Sequence, residues 1–352
     1  MNIGIFLGIG ESLGQMEKTG QKDRFVNFYL KRYIKDFEKV YLFSYANELD
    51  NLPKNIILVP NKSFFHRFIY AFLLPIINRE KVQDCDVIRG FGLTSSIPSF
   101  LLFKPFIINW PYDYLQLLKV EKRYFYIPIF YILEKLAFTR AKKVFIATKK
   151  KFRNLKEKKY IYLPNGVDIS LFKPTLNHKR GIVYVGRLEE QKNLFFLIDS
   201  IAFLPERFRK IAFLGSGSLK TKLQKYALEK KVLLSMHRPI SNSNLPKFMA
   251  NYSIFTLASF AEGSPKALLE AMAVGLVPVV TDFETATDIV TNANNGFIIN
   301  FNKEEFSVKI KNLLENKNLW LNLSKNASHK ISREFNLSKL MDKEIRILKN
   351  AN

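Results

Sequence analysis

The sequence predicts an α/β protein with two domains, each built on a parallel sheet that carries helices on both faces. Short apolar runs, typical of buried strands, alternate with stretches whose apolar residues recur at helical spacing. This alternation runs once through the N-terminal half and starts again near residue 181. Such a pattern favours parallel strands joined by helices. With 352 residues and a 47% apolar composition, the chain is long enough for two cores.

A turn-rich segment, Pro164–Pro174, separates the two series of expected strands. The expected strands are Ile3–Leu7, Lys39–Phe43, Ile56–Val59, Val87–Ile88, Pro105–Asn109, Val144–Ala147 and Tyr160–Leu163, then Gly181–Val185, Lys210–Leu214, Val232–Met236, Ile254–Leu257, Val277–Val280 and Gly296–Ile299. The expected helices include Asp23–Phe37, Leu194–Leu204, Leu219–Leu228, Asn244–Ala250, Lys266–Ala273 and Ser338–Ile347. The predicted domains are therefore 1–165 and 175–335, followed by a terminal helix within 336–352.

Composition excludes several classes of protein. A single cysteine, Cys85, rules out internal disulfides, and with only four histidines a structural zinc site is not expected. An apolar strand directly after Met1 does not resemble a secretory leader. The longest apolar runs, 68–77 and 124–133, are about half of the roughly 20 residues that a membrane span needs.

The formal net charge of +24 is unevenly distributed. Residues 115–160 hold 14 Lys or Arg and 3 Asp or Glu, a net charge of +11, together with many aromatic residues. Basic and aromatic residues in combination favour the anionic face of a membrane. Compositional drift is the alternative, and nucleic-acid binding is a weaker one because no nucleic-acid module is recognisable.

Two glutamates flank a predicted helix start in the C-terminal half. Ser264 suits an N-cap and Pro265 suits the first helical position, which places Glu262 in the loop before the helix and Glu270 within it. The N–H groups of a first helical turn attract phosphate. A ligand with an anionic middle and hydroxyls at both ends, such as a nucleotide-sugar, would fit. Two solvated glutamates on a surface helix are the alternative.

A basic turn is expected at the carboxyl end of the second domain's first strand, where ligands bind in parallel sheets. Gly186 would let a ligand approach the backbone, and Arg187 and Lys192 suit a diphosphate. Gly215 and Gly217 follow another strand and could border a nucleotide base or form a plain tight turn. At the N-terminus, the glycine-rich loop around Gly10 is expected to face an interdomain cleft.

The order of these segments resembles the retaining glycosyltransferases of family 4. The segments that carry the resemblance are Leu163–Pro174, Val185–Lys192, Leu214–Gly217 and Glu262–Gly275, and the likeness covers about residues 160–300. It is thinner over residues 1–159. The resemblance implies a GT-B fold, in which two Rossmann-like domains face a central cleft, the C-terminal one holds the donor, and the terminal helix returns to the N-terminal domain.

The resemblance also implies roles for individual residues. Arg187 and Lys192 would hold the donor diphosphate, Glu270 the ribose hydroxyls, and Glu262 would lie beside the transferred sugar. The segment Gly263, Ser264, Pro265, Lys266 and Ala267 would offer backbone N–H groups to phosphate and sugar, and the donor contacts would include Gly10, Gly186, Gly215 and Gly217. No metal or cofactor is required, since cationic side chains and a helix terminus would stabilise the departing nucleotide.

One departure concerns a histidine that family members often carry near the strand entering the cleft from the N-terminal domain. The corresponding stretch here is 107–114, where Asn109 and Asp113 are the nearest polar residues. Asp113 could orient or deprotonate an acceptor hydroxyl, or it could be an ordinary loop carboxylate. A front-face mechanism, in which the leaving phosphate takes the acceptor proton, needs no such base.

The predicted function is transfer of a sugar from a UDP- or GDP-type donor to a glycan or lipid-linked acceptor in cell-envelope synthesis. The predicted location is cytoplasmic, on the inner face of the cell membrane, with region 115–160 against anionic lipid. A GT-B-like sugar-nucleotide epimerase is the alternative enzyme, and a nucleic-acid-binding protein is the alternative without enzyme activity.

Overall fold

The computed structural model describes residues 1–149 and 158–351. The chain divides into two compact units, of which the first comprises Met1–Pro164 together with the segment from Lys339 onward, and the second comprises Asn165–Ser338. Each unit contains its own parallel sheet, as the strand–helix alternation predicts. Within the described residues, no helix is both long enough and apolar enough to cross a membrane.

The first unit is built on a seven-stranded parallel sheet. Its strands and helices are β1 (Asn2–Phe6), α1 (Leu13–Lys18), α2 (Lys22–Arg24), a π-helix (Phe25–Leu30), α3 (Lys31–Tyr33), β2 (Lys39–Phe43), β3 (Ile56–Val59), α4 (Arg67–Ile77), α5 (Arg79–Gln83), β4 (Val87–Gly90), two 3₁₀ turns (Leu93–Ser96 and Pro98–Leu101), β5 (Phe106–Trp110), α6 (Tyr114–Val120), a 3₁₀ turn (Tyr124–Tyr126), α7 (Ile127–Arg140), β6 (Lys143–Ile146) and β7 (Tyr160–Tyr162).

The strand order in this sheet is β3-β2-β1-β4-β5-β6-β7. From β1 the chain adds β2 and β3 on one side. It then crosses back to β4 on the other side of β1 and continues in that direction to β7. Right-handed crossovers place α1 to α3 on one face of the sheet. The same rule places α4, the two 3₁₀ turns before β5, α6 and α7 on the opposite face, because those connections run in the opposite direction.

The second unit contains a six-stranded sheet, followed by three helices at the end of the chain. Its elements are β8 (Ile182–Val185), a 3₁₀ turn (Glu190–Lys192), α8 (Leu194–Ala202), a 3₁₀ turn (Glu206–Phe208), β9 (Lys210–Leu214), α9 (Lys220–Glu229), β10 (Leu233–His237), α10 (Leu245–Met249), β11 (Ile254–Leu257), α11 (Lys266–Ala273), β12 (Val277–Thr281), α12 (Ala286–Ile289), β13 (Phe297–Ile299), α13 (Lys303–Glu315), α14 (Lys317–Glu334) and α15 (Leu337–Lys349). From Lys339 onward, α15 belongs to the first unit.

The strand order in the second sheet is β10-β9-β8-β11-β12-β13, and every neighbouring pair is parallel. The chain leaves β8 toward β9 and later returns to pair β11 with the other edge of β8. The loops that follow β8 and β11 consequently start side by side and diverge. In open α/β sheets such a reversal of strand order creates a crevice at the carboxyl ends of the strands.

All thirteen predicted strands are present, with ends within two residues of the expected positions. The prediction works because strands buried on both faces are continuous apolar runs.

The helix expected at Asp23–Phe37 differs from its prediction. It contains a π-helix between two short α-helical turns and ends at Tyr33. The widened turn buries Phe25 and Leu30, and a periodicity of 3.6 residues does not predict it.

A buried ion pair attaches the C-terminal helix to the first unit. Glu344 of α15 accepts hydrogen bonds from Arg89 Nε at 2.5 Å and from Tyr33 Oη at 2.8 Å, and both charged side chains are almost fully buried. Burial, reinforced by the charge of Glu344, raises the pKa of Tyr33 well above its ordinary value. The tyrosine therefore stays a donor. The Arg89 guanidinium also lies 4.5 Å from the Phe91 ring centroid and 4.9 Å from that of Phe145.

We expect Glu344→Gln to lower the free energy of unfolding by about 3–5 kcal/mol, because it leaves the buried Arg89 charge without a counter-charge. The matched control is Glu315→Gln in the exposed pair Arg207–Glu315, where we expect a loss below about 1 kcal/mol. Urea denaturation followed by far-UV circular dichroism measures both. Equal losses in the two variants would show that the buried pair does not hold α15 in place.

Candidate functional site

The residues predicted to hold a ligand in the second unit lie at the crevice between β8 and β11. The loop after β8 carries Gly186, Arg187 and Lys192, and the loop after β11 carries Glu262. These two loops are hydrogen-bonded along their backbones, since Phe260 N donates to Gln191 O at 3.0 Å. The Gln191 amide also donates to Ala261 O at 2.7 Å. Residues 70 positions apart in sequence are thereby fixed in one place.

Lys192 and Glu262 form an ion pair that joins these two loops. Their side chains are only 12% and 11% exposed, and the same Glu262 oxygen accepts a hydrogen bond from Ser259 Oγ at 2.6 Å. An ammonium group has three donors, so Lys192 retains capacity for an anionic ligand while Glu262 fixes its direction. The alternative of two solvated surface glutamates is wrong, because Glu262 and Glu270 are both largely buried.

Arg187 is more exposed than Lys192. Its guanidinium contacts Gln191 Oε1 at 3.2 Å, and its carbonyl accepts a hydrogen bond from Tyr184 Oη at 2.7 Å. Burial is the main cause that raises the pKa of Tyr184 well above its ordinary value, and the nearby Glu262 carboxylate adds to it. Tyr184 is therefore a neutral donor that holds the turn, while the Arg187 side chain stays accessible at the mouth of the crevice.

The glycines at 215 and 217 are required by backbone packing against the loop after β8. A Cβ atom at position 215 would lie 1.9 Å from Gly186 O, and one at position 217 would lie 2.4 Å from Leu188 O. Leu188 N donates to Ser216 O at 2.8 Å, which holds the two loops together. This close approach explains both glycines without a bound base. Contact of either glycine with a donor stays a prediction.

Glu189 joins the loop after β8 to the loop after β9, which carries Ser218. It accepts hydrogen bonds from Ser218 N at 3.0 Å and from Ser218 Oγ at 2.7 Å. These two bonds hold the pKa of the Glu189 carboxyl below its usual value. Its negative charge is thus engaged with Ser218, and the two cations of the loop are Arg187 and Lys192.

The start of α11 differs from the prediction. The helix begins at Lys266 with Pro265 at the N-cap position, so the predicted N-cap role of Ser264 and first-helical-position role of Pro265 are wrong. Ser264 Oγ instead accepts a hydrogen bond from Asn165 N at 3.0 Å, and the Asn165 amide donates to Ser264 O at 2.7 Å. A tertiary contact with Asn165, the first residue of this unit, thus takes the place of the predicted local cap. Gly263 and Ser264 are buried, whereas Lys266 and Ala267 are partly exposed.

Glu270 lies just over one turn into α11 and is 4% exposed. Asn242, from the loop after β10, donates a hydrogen bond to Glu270 Oε1 at 3.2 Å. The carboxylate is therefore oriented from a third loop at the same edge of the sheet. A buried carboxylate with an amide neighbour is suited to accept hydrogen bonds from ligand hydroxyls.

Gly10 belongs to the first unit, in the loop after β1, where the strand order of that sheet also reverses between β1 and β4. It has φ +80°, a conformation that favours glycine. Its loop is fixed by Ile9 N, which donates to Thr94 Oγ1 at 3.0 Å, and by Glu11 Oε2, which accepts from Gly8 N at 3.0 Å. A donor contact of Gly10 stays a prediction.

Asn109 and Asp113, the two polar residues in place of the family histidine, both have local structural roles. Asn109 Oδ1 accepts a hydrogen bond from Gly92 N at 2.6 Å, at a position where φ is +79°. Asp113 is the N-cap of α6 and accepts from Leu115 N at 3.0 Å and Gln116 N at 3.1 Å. Capping alone accounts for an aspartate at position 113.

Sequence reasoning did not identify several residues that build the site. They are Asn165, Tyr184, Gln191, Asn242 and Ser259. Asn165, Gln191 and Asn242 act through hydrogen bonds to residues distant in sequence, whereas Tyr184 and Ser259 bond partners three positions away. An isolated amide or hydroxyl gives no sequence pattern that predicts such a bond. Across residues 1–149 and 158–351, no group of three or more His, Cys, Asp or Glu is arranged to hold a metal ion.

Comparison with known proteins relates the second unit to glycosyltransferases. Residues 169–330 match the family model of glycosyl transferases group 1. The chain is 30% identical over 205 residues to the UDP-Gal:alpha-D-GlcNAc-diphosphoundecaprenol alpha-1,3-galactosyltransferase of Escherichia coli, a match that covers 51% of each chain. The chain spans about half or less of the length of the curated relatives it matches.

Solved structures show the same fold over the whole chain. Sucrose-phosphate synthase from Thermosynechococcus elongatus superposes with a TM-score of 0.80 at 14% identity and covers 100% of both chains. HepE of Anabaena, in complex with UDP and glucose, superposes with a TM-score of 0.75 at 16% identity and covers 99% of this chain and 100% of its own. With its two parallel α/β units, the chain has a GT-B fold, as the resemblance implied.

We expect Gly215→Ala to lower the free energy of unfolding by about 1–3 kcal/mol, because its Cβ would overlap Gly186 O and the two loops would have to separate. Gly14→Ala in α1 is the matched control. Its Cβ would have Glu48 Oε2 at 3.5 Å as its nearest neighbour, an ordinary contact, and alanine favours a helix. Urea denaturation compares the two. A loss in Gly14→Ala as large as in Gly215→Ala would contradict the packing argument.

Proposed function

We propose that the chain is a retaining glycosyltransferase, which moves a sugar from a nucleotide-diphosphate-sugar to a hydroxyl group of a glycan or lipid-linked acceptor. The observation that carries this proposal is the partly buried Lys192–Glu262 pair at the strand-order reversal of the second sheet. The match of the same unit to glycosyl transferases group 1 supports it.

In this proposal, Lys192 and Arg187 bind the donor diphosphate. Lys192 is held in the crevice by Glu262, and Arg187 stands at the mouth with its planar guanidinium accessible. A fixed ammonium and an exposed planar cation complement the spread charge of a diphosphate. Their charges also stabilise the negative charge that develops on the departing nucleotide, without a metal ion or cofactor.

Glu270 is proposed to accept hydrogen bonds from the ribose hydroxyls, with Asn242 as a neighbour that fixes the carboxylate. Glu262 would lie beside the transferred sugar, and the segment Gly263–Ala267 would approach phosphate and sugar through its backbone. Since Ser264 is held by Asn165, the start of α11 is fixed before a ligand arrives. UDP and GDP are the proposed nucleotides, and HepE of Anabaena, a protein of the same fold, binds UDP.

The proposed chemical step follows a front-face route. The bond between the anomeric carbon and the diphosphate oxygen breaks, and the acceptor oxygen forms its bond on the same face of the sugar. The leaving phosphate takes the acceptor proton, so that charge and protons balance without a side-chain base. The configuration at the anomeric carbon is thereby retained.

The acceptor is proposed to be lipid-linked. The relative in Escherichia coli acts, by its name, on a diphosphoundecaprenol substrate. In this chain, the basic and aromatic region 115–160 suits an anionic membrane surface, and its residues 150–157 lie outside the described residues. We therefore place the enzyme in the cytoplasm, on the inner face of the cell membrane.

The donor site is tested by thermal unfolding in the presence of UDP, GDP, ADP and CMP. At 100 times its dissociation constant, the correct nucleotide should add about 2.7 kcal/mol of stability. We expect Lys192→Ala and Glu270→Gln to remove this stabilisation and to lower kcat/KM for transfer by more than about 100-fold, which corresponds to two lost charge-assisted contacts. Exposed Lys222→Ala and Glu229→Ala in α9 are the controls, with no expected effect.

Retained transfer in both site variants would disprove the donor-site assignment. Urea denaturation of each variant separates loss of binding from loss of folding, which matters because Glu270 is buried. Conversion of the donor sugar to an epimer, with no acceptor consumed, would favour a sugar-nucleotide epimerase.

Asp113 is retained as a proposed acceptor-orienting residue, and Asp113→Asn separates this role from capping. Asparagine keeps an oxygen that accepts the hydrogen bonds of Leu115 N and Gln116 N, so we expect stability to change by less than about 0.5 kcal/mol. If the carboxylate orients the acceptor, kcat falls by at least about tenfold at unchanged nucleotide binding. Asp113→Ala, which loses the cap, is the comparison. Unchanged kcat in Asp113→Asn would leave Asp113 a cap alone.

A further inference from the structure

One face of the first unit exposes an unusual number of large apolar side chains. The helices α4 and α7 and the turn between β4 and β5 carry Phe68, Ile69, Phe72, Ile76, Ile77, Leu101, Phe103, Ile129, Tyr131, Ile132 and Leu136, all exposed. Right-handed crossovers place these elements on the same face of the sheet. Isolated exposed apolar residues are ordinary, whereas a continuous set marks an interaction surface.

The helix α4 is apolar on both sides. Tyr70, Ala71, Leu74 and Pro75 are buried against the sheet. On the outer side, Phe68, Phe72 and Ile76 follow one another at intervals of four residues and form an exposed row. The segment 68–78 contains no charged residue, so the outer side of this helix lacks the polar character of a helix that faces water.

The same face continues through the turn before β5 to α7. Arg140 at the end of α7 donates hydrogen bonds to Ser99 O, Leu102 O and Lys104 O at 2.7–2.9 Å, so the turn is fixed to that helix. The helix α4 packs against the 3₁₀ turn of Pro98–Leu101. Phe103 is fully exposed, and the carbonyls of its chain neighbours Leu102 and Lys104 both accept hydrogen bonds from Arg140. Both helices are therefore attached to the same segment between β4 and β5.

We propose that this surface, formed by the outer sides of α4 and α7 with Phe103, docks the protein into an anionic lipid bilayer. Basic residues outnumber acidic ones around it. Lys62, Arg67, Arg79, Lys122, Arg123 and Lys135 are exposed, against the exposed Glu80 and Glu121, of which Glu121 pairs with Arg123. Apolar and aromatic side chains that enter the headgroup region, with lysines and arginines around them, are the pattern of an interfacial anchor. Three exposed aromatic residues, Tyr124, Phe125 and Tyr126, lead into α7 and suit the interfacial layer.

This inference extends the proposed membrane contact beyond the basic region 115–160. It assigns insertion to α4 and Phe103, which lie outside that region, and it makes apolar burial as necessary as charge. It rests on the proposed membrane location and is independent of the transfer chemistry.

The test uses the full chain and vesicles of phosphatidylcholine and phosphatidylglycerol in equal parts, with pure phosphatidylcholine for comparison. The variant Phe68→Ser/Phe72→Ser/Ile76→Ser removes three side chains that are 51–61% exposed. The matched control Phe203→Ser/Leu228→Ser/Leu233→Ser removes three in the second unit that are 54–78% exposed. We expect the α4 variant to lose at least about tenfold in vesicle affinity and the control to stay within about twofold.

A second measurement does not depend on how well the α4 variant folds. Cys85, the single cysteine of the chain, is buried, so a cysteine introduced at the surface takes an environment-sensitive dye selectively. A dye on Phe103→Cys should shift to shorter wavelength and be shielded from iodide when anionic vesicles are added. A dye on Leu228→Cys should not change.

Equal vesicle binding by the wild type and the α4 variant, or an unshielded dye at position 103, would overturn the proposal. If the dye at position 103 becomes shielded in the absence of vesicles, and more so at higher protein concentration, the surface binds a second copy of the chain. That result would also overturn the membrane proposal. The proposal of membrane docking and the proposal of sugar transfer can be disproved independently of each other. The α4 variant should keep its stabilisation by nucleotide, and Lys192→Ala should keep its vesicle binding.

Discussion

The reversal of strand order between β8 and β11 is the constraint on which the candidate site depends. Because all six strands are parallel, every loop at their carboxyl ends lies at one edge of the sheet, and the reversal leaves two of these loops side by side. Lys192 and Glu262 meet there although 70 positions separate them. The pair is partly buried and hydrogen-bonded, so Glu262 holds the Lys192 ammonium at the carboxyl ends of the strands, where we propose that an anionic ligand binds.

The loops around this pair are held by contacts that leave little freedom. Gly215 and Gly217 allow the loop after β9 to lie directly on the backbone of the loop after β8, and Glu189 joins the same two loops. Gln191 joins the loop after β8 to the loop after β11. A site preorganised in this way pays less on ligand binding, because its groups are ordered in advance. The same rigidity explains why a methyl group at position 215 is expected to harm the fold.

Much of the fold was predictable from sequence because buried parallel strands are apolar throughout and are separated by helices of regular period. Charged residues and glycines at strand ends predicted the candidate site, and the structure brings Lys192 and Glu262 together there, while their contacts with a ligand stay predictions. Tertiary contacts were not predictable. Serine is a favourable residue for a helix N-cap, but the Ser264 hydroxyl accepts a hydrogen bond from Asn165 N instead. Similarly, Asn242 donates to Glu270 from a loop 28 positions away in sequence. Local preference gives way when a distant partner satisfies the same atom.

The two faces of the first sheet are covered in opposite ways. On one face, the C-terminal helix is attached by the buried Arg89–Glu344 pair, and the Tyr33 hydroxyl completes the contact. On the other face, α4 and α7 bury one side against the sheet and present apolar side chains outward. The inner side of α4 is packed in the core, so the exposed apolar side chains add nothing to that packing and instead indicate an interaction surface. The anionic bilayer that we propose for this face would bury the exposed Phe72 in an apolar phase and would pair its negative charge with Arg67 and Arg79.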